Sequence, residues 1–276
     1  LIEGPPGVGK TELANTAALY FKKDMIRLQC YEGLDESKAL YEWRYGKQLL
    51  YTQILKEQMQ EVLEGAKGLK ESLDRLMKFE DIFFSEDFLE TRPLLEALTS
   101  EKGSVLLIDE VDKSDEEFEA LLLEILSEFQ ISIPELGVRK ADIKPLVVLT
   151  SNNSREIGDA LKRRCLHLYI PFPDAKLERQ IVQARVPEIS ESMQIQLVNF
   201  VQGIRELDLK KLPAISETID WAKTVILLNS EELDAKLAED TLNVLLKHQQ
   251  DIEVVKKEIP ALVSSATETS DGKSLN

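Results

Sequence analysis

Residues Gly4-Pro5-Pro6-Gly7-Val8-Gly9-Lys10-Thr11 fit the pattern G-x-x-x-x-G-K-[ST] at every position. Such a stretch reads as a phosphate-binding loop. Its glycines let successive backbone N–H groups point inward, Lys10 reaches toward β and γ phosphates, and the Thr11 hydroxyl ligates Mg²⁺. Leu1-Ile2 read as the end of a buried strand, and the run from Thr11 through Glu12 to Leu19 has helix-forming composition. The loop therefore feeds a helix N-terminus, whose partial positive charge favours anions.

The 276 residues suffice for a large core and for two domains, one of them small. A hydrophobic content of 43% with 30% charged residues describes a soluble globular chain, and no apolar run approaches the roughly 20 residues that a membrane span needs. The formal charge of −16 disfavours broad electrostatic attachment to DNA, RNA or anionic lipid. Two cysteines, Cys30 and Cys165, lie far apart, and nothing resembles a secretory signal, so the expected setting is the reducing cytoplasm, with both thiols plain and buried. The chain opens inside a strand without an initiator Met, which predicts further residues upstream.

After the first helix, Met25 to Cys30 reads as a strand and Tyr31-Glu32-Gly33-Leu34-Asp35 as a loop. From Gln48 to Phe79, apolar residues at Leu55, Met59, Val62, Ala66, Leu69, Leu73 and Leu76 keep helical spacing, with Gly65 and Gly68 as interruptions. That segment exceeds one crossover helix and predicts a helical insertion over about 47–79. Thr91 to Leu98 predicts another helix, Pro93 fitting its first turn. Val105-Leu106-Leu107-Ile108 is a continuous apolar run, the mark of a parallel strand covered on both faces.

That strand ends in Asp109-Glu110, and ligands of open α/β sheets sit beyond the carboxyl ends of strands. There Asp109 can enter the Mg²⁺ shell and Glu110 can polarise an attacking water. The acids that follow, Asp112, Asp115, Glu116, Glu117 and Glu119, are read as helix-dipole complements, with Ser114 as N-cap and Glu117 completing a capping box. Ile131 to Arg139 predicts a β-hairpin, and Leu146 to Thr150 a buried strand that delivers Asn152 beside Asp109. Asp159 to Cys165 reads as a short helix, Leu166 to Ile170 as a last strand. Beyond Pro171-Phe172-Pro173 the pattern is helical: Asp174 to Val186, Ser190 to Gly203, Ile215 to Leu228 and Ser230 to about Val255, with a polar, frayed end from about Ser264. His167 and His248 have no metal-ligand spacing. The aromatic residues Tyr31, Tyr41 and Trp43 suit a core or a pore.

Taken together, the phosphate loop, Asp109-Glu110, Thr150-Ser151-Asn152, Arg163-Arg164-Cys165 and the helical C-terminal part resemble the AAA+ ATPases. Gln29 to Asp35, Arg92-Pro93-Leu94-Leu95, Ile133 to Gly137 and Glu217 to Ala222 look like the MoxR branch, particularly its CoxD-like members. The resemblance implies a P-loop NTPase domain with a five-stranded parallel sheet and helices on both faces, expected over 1–173 with its N-terminal part missing, followed by a helical lid over 174–262; the polar composition predicts a flexible tail over 263–276. The resemblance also implies ATP and Mg²⁺ bound between subunits of a hexameric ring. Gly4, Pro5, Pro6, Gly7, Val8, Gly9, Lys10, Thr11, Glu12 and Asp109 would contact the nucleotide, Thr11 and Asp109 the metal. By position Asn152 looks like sensor 1 and Arg164 like the arginine finger, Arg163 being the alternative. Where many relatives carry a sensor 2 Arg, this chain has Pro213-Ala214-Ile215-Ser216-Glu217, with Lys210 and Lys211 nearby.

The family's role implies remodelling or maturation of a protein client, such as a molybdenum-containing metalloenzyme, with a von Willebrand A domain protein as partner. Two further readings compete. One is a DNA-acting motor or clamp loader, disfavoured by the acidic charge; the other is a nucleotide-gated scaffold with negligible turnover.

Overall fold

The computed structural model describes residues 1–63, 85–134, 136–230 and 232–268. By its contacts the chain divides into two compact units, residues 1–3 with 10–169, and 4–9 with 170–276.

Unit 1 is built on a parallel sheet of β1 (Ile2–Glu3), β2 (Asp24–Gln29), β5 (Ser104–Asp109), β8 (Leu146–Ser151) and β9 (Leu168–Tyr169), in the order β2-β5-β8-β1-β9. β5 lies inside the sheet, between β2 and β8, and its Val105 to Ile108 leave no surface exposed; burying such side chains contributes about 1.5–3 kcal/mol each. Helix α1 (Lys10–Phe21) starts at the loop lysine and packs on β5. Short α2 (Glu36–Ala39) follows β2, with Asp35 capping it. Helix α4 (Pro93–Thr99) carries Pro93 in its first turn and buries Leu94, Leu95, Ala97 and Leu98 against β2 and β5.

Two antiparallel pairs flank this sheet. β6 (Gln130–Ile133) and β7 (Gly137–Lys140) form the expected hairpin. β3 (Tyr41–Trp43) and β4 (Leu89–Thr91) form a pair that the sequence did not announce, tied by Arg92 to Glu42 at 2.5 Å. Between them, helix α3 (Tyr45–Leu63) covers the start of the expected insertion and leaves Leu49, Leu50 and Ile54 exposed. Gly65, Gly68 and the apolar positions from Ala66 to Leu76 lie outside the described residues.

One expectation is corrected at α5 (Glu116–Glu128). Its N-cap is Asp115, which accepts from Phe118 N–H at 2.8 Å, whereas Ser114 donates its hydroxyl to Val111 C=O at 2.7 Å and closes the preceding turn. Two of the acids read as dipole complements are buried acceptors instead. Asp112 is treated below, and Glu119 takes Arg155 at 2.5 Å and Gly158 N–H at 2.9 Å. Trp43 is buried and Tyr41 packs on the core, while Tyr31 is exposed.

Unit 2 holds α7 (Ala175–Arg185), α8 (Glu191–Arg205), α9 (Ile215–Leu227), α10 (Ala235–Leu245) and α11 (Gln249–Glu268); α6 (Asp159–Lys162) precedes them in unit 1. Asp174, Ser190 and Asp234 cap α7, α8 and α10 by accepting the N–H three residues on. Phe200 and Trp221 meet in the core at 5.2 Å between ring centroids, and Trp221 Nε1 donates to Thr241 at 2.7 Å. Arg205 and Glu178 form a buried two-pronged ion pair at 2.7 and 2.8 Å, with Thr218 adding a hydroxyl. The single helix expected from Ser230 is two, α10 and α11. α11 runs to Glu268 and buries Ala266, so the tail expected from 263 is helical through Glu268; 269–276 lie outside the described residues.

Candidate nucleotide site

The parallel register sets the carboxyl ends of β2, β5 and β8 side by side, and α1 brings Lys10 to the same edge. Lys10 is 6% exposed, and its ammonium donates to the Asn152 side-chain oxygen at 2.7 Å. Burial pulls the lysine pKa below its ordinary value, opposed by the negative charges of Asp112, Asp109 and Glu110. Thr11 donates its hydroxyl to Asp109 Oδ1 at 3.3 Å. Asp109 is nearly inaccessible and also receives the Thr150 hydroxyl on Oδ1 and the Arg27 guanidinium on Oδ2, the latter at 2.5 Å.

Glu110 leaves the strand in the left-handed region, φ 57° and ψ 49°. For a residue with a Cβ this costs about 1–2 kcal/mol, so something must hold it. Its N–H donates to Thr150 Oγ1 at 3.0 Å. One buried hydroxyl therefore orders both acids, donating to Asp109 and accepting from Glu110. The bend turns the Glu110 carboxylate toward Asn152, whose Nδ2 donates to Oε1 at 3.1 Å; Gln29 Nε2 and Lys113 Nζ hold Oε2 at 2.9 and 2.6 Å. Lys10, Asn152 and Glu110 thus form one hydrogen-bonded row.

Asp112 fixes the turn that carries Asn152. It accepts Asn152 N–H at 3.2 Å and Ser154 N–H at 2.9 Å, together with the Ser154 hydroxyl. Burial opposes its ionisation, yet these donors win and hold its carboxyl below the usual carboxylate value.

Residues 4–9, which group with unit 2, take positive φ at Gly4 (154°), Gly7 (74°) and Gly9 (98°). Gly4 passes so close to the Ile170 carbonyl that no Cβ fits, and a Cβ on Gly7 would lie 2.5 Å from that of Ala214 and 2.9 Å from Ser216 Oγ. Pro5 is half-buried, Pro6 exposed and Val8 buried. Glu12 is exposed on the first turn of α1 and accepts from the Asn15 amide at 3.4 Å.

Residues 1–165 match the AAA domain of the dynein-related subfamily. The chain belongs to that family. The fold agrees with solved AAA proteins. The Thermotoga maritima RuvB Holliday junction branch migration motor aligns at 17% identity over 98% of this chain and 74% of that chain, with a TM-score of 0.50. A point mutant of the same RuvB aligns at 18% identity over the same shares, with a TM-score of 0.51. No curated protein matches in sequence.

Within this AAA domain, the Thr11 hydroxyl and Asp109 carboxylate are hard oxygen donors on facing elements, which fits Mg²⁺, a cation that keeps several water ligands and takes one or two carboxylates plus phosphate. Among the described residues no group of three or more His, Cys, Asp or Glu could hold a metal by itself, so the remaining ligands would be phosphate and water.

Arg163 and Arg164 do not join the row. Both are exposed at the end of α6. Arg164 Nε donates to Ser127 Oγ at 3.1 Å and Nη1 to Ala160 C=O at 3.0 Å, while no described residue bonds the Arg163 guanidinium. In the stretch read against sensor 2, Lys210 and Lys211 are exposed and give their backbone N–H groups to buried Asp251, at 2.9 and 3.2 Å. Sequence reasoning passed over the roles of Thr150, Asp112, Arg27 and Gln29. Only the alternation Arg27-Leu28-Gln29 hinted that two polar side chains share one face of β2.

Proposed function

We propose that this AAA domain hydrolyses ATP with Mg²⁺ and works as a ring. The observation that carries the reading is the row of Lys10, Asn152 and Glu110 beside the Thr11–Asp109 pair. In this reading the loop N–H groups and Lys10 hold the phosphates, and Thr11 and Asp109 would hold Mg²⁺, which would supply positive charge to the phosphate oxygens. Glu110 takes the proton of the attacking water, and Asn152 keeps the carboxylate aimed. Arg164 of one subunit serves the site of the next, with Arg163 as the alternative. The local likenesses to the MoxR branch support the finer role: remodelling of a protein client such as a molybdenum-containing metalloenzyme, with a von Willebrand A domain partner, in the cytoplasm. Among the described residues no helix is long and apolar enough to cross a membrane.

A steady-state ATPase assay tests this. Lys10→Ala should lose nucleotide binding, and Glu110→Gln should keep ATP while turning over at least about 10²-fold more slowly, the amide being unable to accept a proton. Wild-type turnover in Glu110→Gln overturns the assignment. Negligible turnover in the wild type selects the nucleotide-gated scaffold. The likeness to RuvB is one of fold, and the charge of −16 opposes a nucleic-acid substrate, so DNA should leave turnover unchanged. Partners captured by Glu110→Gln with ATP bound test the client class: a metalloenzyme or a von Willebrand A protein supports it, replication factors oppose it.

A further inference from the structure

Arg27 is an arginine on the surface of β2 that spends its charge on one carboxylate. Its Nη2 lies 2.5 Å from Asp109 Oδ2, and the same nitrogen reaches Gln29 Oε1 at 2.7 Å. The side chain of Arg27 is 50% exposed, that of Asp109 only 6%. Water can therefore do little for the charge of Asp109, and the guanidinium does the compensating. On Oδ1 the carboxylate meets the Thr150 hydroxyl, and Thr11 sits at 3.3 and 3.4 Å from its two oxygens. Asp109 thus already holds a cation on the oxygen that Thr150 leaves over.

We infer that Arg27 is a counter-cation that competes with divalent metal for Asp109, and so sets the Mg²⁺ concentration at which this domain grips nucleotide. The inference rests on the reading of Asp109 as a metal ligand. Two cations on one buried carboxylate repel each other, so metal binding at Asp109 is opposed by Arg27 and favours its withdrawal. Withdrawal is feasible because half of the side chain already faces water, where the released guanidinium is hydrated. It also has a consequence for Glu110. Arg27 orients Gln29, and Gln29 Nε2 holds Glu110 Oε2 at 2.9 Å, so departure of the guanidinium from Asp109 loosens the partner of the second acid. Arg27 acts here as a positioning residue and touches no reacting atom.

The test measures binding of a fluorescent ADP analogue to the full chain across a series of free Mg²⁺ concentrations. In the wild type, Mg²⁺ should tighten binding with a defined midpoint. Arg27→Met should lower that midpoint about three- to tenfold, the range for an ion pair with one half-exposed partner, and should weaken metal-free binding, because the charge of Asp109 then faces the phosphates uncompensated. Arg27→Lys, which retains the charge, should stay near the wild-type midpoint. If Arg27→Met lacks the native circular dichroism spectrum, Arg27→Gln carries the same expectation with a polar side chain. A midpoint unchanged or raised in a folded neutral variant overturns the inference while the ATPase reading stands. A wild type that binds no nucleotide at any Mg²⁺ concentration overturns both.

Discussion

The side-chain amide of Asn152 donates to the Glu110 carboxylate at 3.1 Å. The oxygen of the same amide accepts from Lys10 at 2.7 Å, so one short side chain sets the distance between the loop cation and the acid. Asn152→Ala removes both contacts and should slow turnover about 10- to 10²-fold while nucleotide still binds. Asn152→Asp is the sharper variant. A carboxylate there keeps a partner for Lys10 but sets a like charge against Glu110 where the amide donated a hydrogen bond. Turnover should therefore fall further in Asn152→Asp than in Asn152→Ala; turnover at the wild-type level would mean that the amide does not aim Glu110.

Thr150 carries a second prediction. Its hydroxyl is buried, donates to Asp109 and accepts from the left-handed Glu110 N–H. Thr150→Val keeps the shape and removes both bonds, stranding a buried donor, and should cost about 2 kcal/mol in denaturant unfolding. Thr150→Ser should recover most of it. Equal stability of all three would show that the Glu110 bend needs no such support.

Asp112 predicts a pH dependence. Its folded-state pKa lies below the ordinary 3.8, so its contribution is fully present above that value and is lost as pH falls through the folded value. Asp112→Asn should cost about 1–3 kcal/mol at neutral pH, because an amide cannot accept from both Ser154 donors and Asn152 N–H together. The gap between variant and wild type should shrink below about pH 4, measured by chemical unfolding. A gap of constant size down to about pH 3 would contradict the depressed pKa.

The site was legible where a local requirement fixes a residue type. Gly4 and Gly7 answer to backbone geometry and close approach, and the run Val105 to Ile108 to burial on both faces. Asn152 could be placed because it follows the next buried strand. Arg27 and Gln29 could not be tied to the two acids without knowing that β2 lies beside β5 in register. The three-residue partners β3 and β4 are too short to show a period and are joined only across a long intervening segment. At α5, Ser114 and Asp115 are both good caps, and the turn closed on Val111 decided between them. The C-terminal helix was read as one because the break near Lys247 has no glycine or proline to mark it; Pro260 sits inside α11. The end of that helix is held by burial of Ala266, a tertiary contact invisible in composition.

The two thiols should separate in reactivity. Burial, followed by the charges of Asp109, Asp112 and Glu110, pushes the Cys30 thiol up to about 12. At pH 8 its thiolate fraction is then on the order of 10⁻⁴, and the side chain is closed to solvent as well. Cys165 is partly accessible. Iodoacetamide at pH 8 should therefore add one group to the native protein, at Cys165, and two in denaturant, as read by peptide mass spectrometry. Rapid native labelling of Cys30 would mean that the β2–β5 edge opens readily.

The last prediction concerns Arg164 and tests the ring. A guanidinium keeps its charge at working pH and offers planar donors, which suits charge developing on phosphoryl oxygens; supplied from a neighbouring subunit, such a group is worth about 10³ in rate or more. Arg164 is already oriented, with Nε on Ser127 and Nη1 on Ala160, and no described residue bonds its Nη2. Arg163 has no such anchoring among the described residues. Arg164→Ala should therefore bind ATP and lose about 10³ in turnover, and Arg163→Ala should lose less than about tenfold. Turnover per subunit should rise with protein concentration as rings form. Mixing Arg164→Ala with Lys10→Ala should restore part of the activity, since some mixed boundaries pair an intact loop with an intact arginine. If native mass spectrometry shows mixed rings and the mixture stays inactive, Arg164 does not act across a boundary. If Arg163→Ala is the variant that loses about 10³, the role passes to Arg163, the freer side chain. Turnover independent of concentration in a proven monomer would dismiss both arginines and the ring with them.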